Sequence, residues 1–162
     1  VIKNIIITQK GDKMKIIGID HIAIRVKYLK KAIDFFEDLF DTKFHELGEV
    51  PALDIISYID PIGLELVSPL LPDGPTRRVL DRRGEGMTVL SLKVDDLDKA
   101  VAEMEAKGVR MTHRGRNGDL EGAVFHPSDT FGVLFELVEY KKEEHPIRTT
   151  IKKNVGRPLL DQ

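Results

Sequence analysis

The 162-residue sequence contains no cysteine and no tryptophan. The absence of cysteine excludes disulfides, thiolate zinc sites and cysteine nucleophiles, so any metal ion would have to bind through nitrogen and oxygen atoms. No charge of one sign dominates, because the sequence contains 25 basic and 27 acidic residues. This balance favours neither nucleic acid nor an anionic membrane as a partner.

Long hydrophobic runs are missing as well. The run IIGIDHIAI at 16–24 is too short and too interrupted to span a bilayer, and the N-terminus shows no signal-peptide pattern. We therefore predict a cytoplasmic protein without a membrane segment. Hydrophobic residues make up 41% of the sequence, which is sufficient for a substantial core.

What the sequence does contain is a repeated order of elements. KIIGIDHIAIRV at 15–26 is typical of a strand with His21, Ala23 and Arg25 on one face. An amphipathic helix pattern at 29–41 follows, and its three phenylalanines predict a large contribution to the core. Three short strands come next. The same order starts again at 87 and ends at 140, with 115–122 predicted as a loop.

The numbering supports this repeat. His21 and Val89 lie 68 positions apart, and Glu65 and Glu136 lie 71 positions apart, so the two registers differ by only three residues. A single βαβββ unit cannot bury a whole sheet face alone. We therefore predict an α+β fold in which two pseudo-symmetric βαβββ modules form a curved mixed sheet around a cavity.

The pattern also predicts segment boundaries. The segments are an N-terminal extension (1–14), the first module (15–70), a connector (71–86), the second module (87–140) and a C-terminal tail (141–162). The extension is either an additional strand or upstream sequence outside the working domain. The tail is either an arm on the domain or on a second subunit, or disordered.

Two acids interrupt the apolar strands of the repeat. Glu65 and Glu136 each lie in a short apolar strand, where a carboxylate is costly unless it is paired, hydrogen-bonded or bound to a metal. If the modules pair around a cavity, both face His21. One imidazole and two carboxylates suit Co²⁺, Mn²⁺, Ni²⁺, Zn²⁺ or Fe²⁺ with open coordination positions. The alternative is that all three are satisfied structural residues.

Three segments carry a family resemblance: IDHIAIRVKYLKKAIDFFEDLF, GLELVSPLLPDGPTRRVLDRRGEGM and FHPSDTFGVLFELVE. They resemble the vicinal oxygen chelate superfamily of glyoxalases, bleomycin resistance proteins and dioxygenases, and within it the methylmalonyl-CoA epimerases. The resemblance covers most of 16–140. It implies paired βαβββ modules, often dimeric, with a divalent metal ion in each cavity.

The resemblance also assigns roles by position. His21, Glu65 and Glu136 fall on three of the four metal-ligand places, and Glu136 is also assigned to the catalytic site. The fourth place, normally a histidine, is Val89. Glu49, sixteen positions before Glu65, falls where the family has a glutamate proposed as the proton-transfer base. The catalytic assignment is therefore Glu49 and Glu136.

Two hypotheses from different classes follow. The first is a metal-dependent isomerase (epimerase) or lyase that abstracts a proton next to a chelated carbonyl, with a CoA thioester or a 2-oxoaldehyde adduct as its substrate. The second is a metal-free small-molecule-binding protein of the same fold. An iron dioxygenase is disfavoured, because only one histidine occupies a ligand place. The resemblance favours a homodimer, although a fused monomer is equally compatible with the pattern.

Overall fold

The computed structural model describes residues 13–141. Most of the predicted extension and nearly all of the predicted tail lie outside these residues. The elements are β1 (Ile16–Arg25), α1 (Leu29–Phe40), β2 (His45–Val50), β3 (Ile55–Ile59), β4 (Leu64–Pro69), α2 (Pro75–Arg83), β5 (Gly86–Val94), α3 (Leu97–Ala106), β6 (Met111–Asn117), β7 (Leu120–Phe125) and β8 (Leu134–Tyr140).

All eight strands belong to one sheet, in the order β2-β3-β4-β1-β5-β8-β7-β6. In each half, the first strand pairs in parallel with the last strand, β1 with β4 and β5 with β8. The halves join where β1 and β5 run antiparallel. The sheet curls into a half-barrel, which confirms the predicted α+β fold of two pseudo-symmetric βαβββ modules.

The core lies between the helices and one face of the sheet. α1 packs on the first half, in a cluster formed by Val26, Leu29, Ile33, Phe44, Ile56, Tyr58 and Leu66. α3 packs on the second half, in a cluster formed by Val94, Leu97, Ala100, Val101, Ala123, Phe125 and Leu137. We call the opposite face of the sheet the cavity face. Side chains alternate along a strand, so His21, Ala23 and Arg25 of β1 project from the cavity face.

The prediction that all three phenylalanines of α1 contribute to the core is wrong for Phe35 and Phe40. Only Leu29 and Ile33 of this helix are buried, and Phe36 packs against the cluster while partly exposed. Phe35 and Phe40 are 58% and 51% exposed. The apolar stripe of α1 is wider than its contact with the sheet, so only the centre of the stripe is covered.

The predicted loop at 115–122 is also wrong in most of its length. β6 continues to Asn117 and β7 begins at Leu120, so the two strands form a tight hairpin. Gly118 has a φ of 60° and supplies the left-handed backbone that the turn needs. Among the described residues, no helix is both long and apolar enough to cross a membrane.

Candidate metal centre

Three polar residues form a row across the centre of the cavity face. The β1–β5 ladder pairs His21 with Ser91, and the β5–β8 ladder pairs Ser91 with Glu136. Directly paired residues project from the same face, and neighbouring strands lie about 4.8 Å apart. The side chains of His21 and Glu136 therefore meet by leaning toward each other across Ser91.

A second row is related to the first by the internal repeat. Glu65 pairs with Ala23, and Ala23 pairs with Val89. The repeat exchanges His21 with Val89, Ser91 with Ala23 and Glu136 with Glu65. All three residues of the first row are polar. In the second row only Glu65 is polar, because the side chains of Ala23 and Val89 carry no nitrogen or oxygen atom that could bind a metal ion.

The two glutamates converge on the histidine. Nε2 of His21 lies 3.4 Å from Oε2 of Glu65 and 3.2 Å from Oε2 of Glu136, and the three side chains are 11%, 13% and 20% exposed. Within 13–141, neither glutamate forms an ion pair with a lysine or an arginine. Two sheltered carboxylates thus share one imidazole.

Asp20 orients this imidazole, although the sequence did not single it out. Its Oδ2 lies 2.9 Å from Nδ1 of His21, and its side chain is almost fully buried. Strict alternation would turn Asp20 away from the cavity face. The β1–β5 register shifts between Ile19 and His21, and this β-bulge explains how adjacent side chains meet. A carboxylate on Nδ1 directs Nε2 into the site, as it does behind many metal-binding histidines.

The environment of His21 favours its charged form. Burial lowers the pKa of the imidazole, but the hydrogen bonds that the ring donates to the carboxylates of Asp20, Glu136 and Glu65 outweigh burial and raise the pKa well above the ordinary value. A metal ion binds the neutral imidazole, so it would have to compete with this proton for Nε2.

The donor atoms suit a divalent ion. In octahedral and tetrahedral sites with metal–ligand bonds of about 2.1 Å, neighbouring donor atoms lie about 3.0 to 3.4 Å apart. The distances from Nε2 of His21 to the carboxylate oxygens of Glu65 and Glu136 are close to this range. In the part of the chain that the structure describes, however, no group of three or more His, Asp or Glu side chains is arranged so that it could hold a metal ion. The three side chains would therefore have to rearrange in order to bind one. The hydroxyl of Ser91, which is buried and has no hydrogen-bond partner within 13–141, fits an incomplete polar site.

The structure does not bring Glu49 together with the three predicted ligands. It lies exposed on β2, at the edge of the sheet and two strands away from β4. Its pairing partner on β3 is Ile56, which belongs to the core cluster on the helix side. The predicted role of Glu49 as a base stays a prediction.

Arg25 adds a positive charge to the cavity face. Its guanidinium is buried and donates to the backbone oxygen of Gly84 at 3.1 and 3.3 Å and to Oγ1 of Thr88 at 3.0 Å. Both acceptors are neutral, and within 13–141 no carboxylate forms an ion pair with Arg25. Burial, followed by repulsion from Arg83, lowers the pKa of Arg25. Such a charge suits an anionic ligand.

Gly122 on β7 limits where Glu136 can lie. A Cβ atom at Gly122 would approach Oε1 of Glu136 to 3.0 Å, and its φ is not in the left-handed region. We expect Gly122→Ala to displace the carboxylate and to weaken Co²⁺ binding about tenfold, as shifts around a ligand typically do. Isothermal titration would measure the dissociation constant. Gly18→Ala is the matched control, because its added methyl group would meet nothing within 4 Å. An unchanged dissociation constant in Gly122→Ala would contradict the prediction.

Comparison with known proteins agrees with this architecture. An uncharacterised protein of Bacillus subtilis (strain 168), YqjC, is 29% identical over 134 residues, which are 78% of this chain and 95% of that protein. The mitochondrial methylmalonyl-CoA epimerase of Mus musculus is 29% identical over 126 residues, which are 74% of this chain and 71% of that protein. The crystal structure of methylmalonyl-CoA epimerase from Mycobacterium tuberculosis superposes with a TM-score of 0.70 and 28% identity, covering 79% of this chain and 91% of that one.

The sequence profile of one family covers both modules. It matches residues 18–137, from the strand that carries His21 to the strand that carries Glu136. This range includes the whole curled sheet except the first two residues of β1 and the last three residues of β8. The profile, the paired modules and the shared cavity face lead to the same conclusion: the chain belongs to the Glyoxalase/Bleomycin resistance protein/Dioxygenase superfamily.

Proposed function

We propose that the protein is a metal-dependent vicinal oxygen chelate enzyme that removes a proton next to a carbonyl, as an epimerase or a lyase does. One observation carries the proposal: Glu65 and Glu136 are sheltered, share a single histidine and pair with no lysine or arginine within 13–141. Excess negative charge away from water is costly unless a cation offsets it. A divalent ion bound by these residues would supply that positive charge.

His21, Glu65 and Glu136 would hold the ion. When bound, it would act as a Lewis acid that stabilises the negative charge developing on a carbonyl oxygen. Asp20 keeps the imidazole oriented for this role. Val89 and Leu134, which pair with each other beside the site, present apolar side chains that help to exclude water.

The substrate we propose is a CoA thioester with an enolisable acyl group. Two features support this choice: similar proteins are named methylmalonyl-CoA epimerases, and Arg25 places a positive charge on the cavity face of the same strand as His21. Since Val89 removes one ligand, we propose a related thioester rather than methylmalonyl-CoA itself as the preferred substrate. 2-Oxoaldehyde adducts are the second substrate class.

Glu49 is our proposed base, because it lies sixteen positions before Glu65, where the family resemblance places the proton-transfer glutamate. It would have to reach the substrate from the edge strand β2. The proposal also includes a homodimer, since α1 leaves Phe35 and Phe40 largely exposed. Analytical ultracentrifugation would measure the oligomeric state directly.

The test combines metal content with proton exchange. We expect elemental analysis of the purified protein to find about one divalent ion per chain. In deuterium oxide, we expect the acyl carbon next to the thioester to take up deuterium from the solvent, with methylmalonyl-CoA as the first probe. A chelator should abolish the exchange, and Co²⁺ or Mn²⁺ should restore it.

A negative result would favour the alternative function. If the protein holds no ion even after incubation with Co²⁺ or Mn²⁺, and no thioester exchanges, the enzyme proposal fails. Val89 is the observation that favours this alternative, a metal-free binding protein, because the site has lost one ligand position. The His21 imidazolium would then serve as the permanent partner of both glutamates.

A further inference from the structure

Ser91 is the one residue of the polar row that the proposed function does not use. It is fully buried, and its Oγ has no hydrogen-bond partner within 13–141. Buried hydroxyl groups normally find a partner, because an unsatisfied one keeps the full cost of its desolvation. The presence of an unsatisfied hydroxyl group at this buried position needs an explanation.

The position of Ser91 in the sheet suggests an explanation for this hydroxyl group. It pairs with His21 on one side and with Glu136 on the other, so its side chain forms the floor beneath the contact between these two residues. Ser91 is fully enclosed, and Ala23, which is also fully buried, occupies the repeat-related place between Glu65 and Val89. Alanine would therefore fill the place of Ser91 without leaving a hydroxyl unsatisfied.

We propose that Ser91 is a positioning residue of the metal centre, whose hydroxyl is left without a protein partner so that it can bind the oxygen that replaces the missing fourth ligand. With the ion bound, that oxygen would belong to a water molecule. In the structure the hydroxyl is closed to solvent, beneath the contact between His21 and Glu136. The valine at 89 removes a ligand from one row, and the serine at 91 adds a hydrogen-bonding group to the other. This inference rests on the proposed function, because it requires an ion in the site.

Packing alone makes a different prediction from this proposal. If Ser91 only fills space, Ser91→Ala removes an unsatisfied hydroxyl and changes nothing at the metal centre. If the hydroxyl holds an oxygen in the site, the same substitution should stabilise the metal-free protein and yet weaken metal binding. The substitution would then raise the stability of the metal-free protein and lower its metal affinity. General damage to the fold would lower both, so it cannot account for this combination.

The experiment measures both effects on the full chain. We would record the unfolding temperature of the metal-free protein and titrate it with Co²⁺, following visible absorption, for wild type, Ser91→Ala and Ser57→Ala. We expect Ser91→Ala to unfold at an equal or higher temperature and to bind Co²⁺ about tenfold more weakly, which is the usual loss for a residue behind the ligands. A changed Co²⁺ spectrum would report the altered coordination.

Ser57 is the matched control, because it is also a buried serine and lies on β3, away from the polar row. Ser57→Ala should leave the Co²⁺ dissociation constant unchanged.

The outcomes separate this inference from the proposed function. If wild type binds Co²⁺ and Ser91→Ala binds it equally tightly, the inference is overturned while the metal centre stands. An equal weakening in Ser57→Ala would also overturn it, because the effect would then not be specific to the row. If wild type binds no divalent ion, the proposed function fails and the inference fails with it.

Discussion

His21→Ala is expected to abolish metal retention and proton exchange. The imidazole is the common neighbour of Glu65 and Glu136, so its loss removes the nitrogen donor and the group toward which both carboxylates converge. Residues behind metal ligands already contribute about 10- to 100-fold to affinity, so loss of a ligand should weaken Co²⁺ binding by more than about a hundredfold. Exchange at the acyl carbon should fall by about a thousandfold.

Elemental analysis and the deuterium-exchange assay check this result together. His113→Ala is the matched control, because it removes a partly buried histidine from β6, at the far edge of the sheet. That variant should keep its ion and its activity. A His21→Ala protein that is folded and still binds about one ion per chain would exclude His21 as a ligand.

Asp60→Ala is expected to cause the largest loss of stability. Asp60 is fully buried, and its Oδ1 accepts hydrogen bonds from the backbone N–H groups of Ile62, Gly63 and Leu64 at 3.0, 2.9 and 2.8 Å. Its Oδ2 accepts another from Thr42 at 3.2 Å. Alanine would leave the N–H groups of Ile62 and Leu64 and the hydroxyl of Thr42 without this acceptor, while the N–H of Gly63 would still donate to the backbone oxygen of residue 60 at 3.2 Å. We expect the loss to lower the free energy of unfolding by about 3 kcal/mol.

Thermal unfolding measures the effect, and a loss of this size should lower the unfolding temperature by about 6 to 12 °C in a chain of this length. Asp60→Asn should cost less, because its side-chain oxygen can still accept from the turn. Asp81→Ala should cost little, since it removes an exposed acid that pairs with Arg77 on α2. The turn around Asp60 leads directly into β4, the strand that carries Glu65. If the Asp60→Ala protein were as stable as wild type, the prediction would be contradicted, because the turn would then hold β4 in place without this carboxylate.

The order of elements was predictable, because strand and helix periodicity are local properties. The alternating pattern of β1 placed His21, Ala23 and Arg25 on one face, and Ile24 and Val26 pack on the opposite face with the cluster under α1. The same kind of reasoning overestimated how many apolar side chains of α1 are buried. A stripe of apolar residues indicates which side of a helix faces the core, but the curvature of the sheet decides how wide the contact becomes. Phe35 and Phe40 fall outside that contact.

The approach of Glu65 and Glu136 to one another was also predictable, because an acid inside an apolar strand is conspicuous in a sequence, whereas the role of these residues and His21 as metal ligands stays a prediction. Their neighbours were not predictable. Asp20 reaches His21 through a β-bulge, and bulges depend on the pairing of two distant strands rather than on local sequence. Thr88 meets Arg25 at a second register shift, between Ala23 and Ile24. A strict alternation of faces misplaces residues at both points.

By itself, the sequence determined the two βαβββ modules, the absence of thiol chemistry and the faces on which most side chains lie, because composition and periodicity carry that information. Only the tertiary structure decided that β1 pairs with β5 and that Ser91 lies between His21 and Glu136. The physical reason is that the strands of the row come from 16–25, 86–94 and 134–140. Strand register, unlike periodicity, is set by packing between segments far apart in the chain.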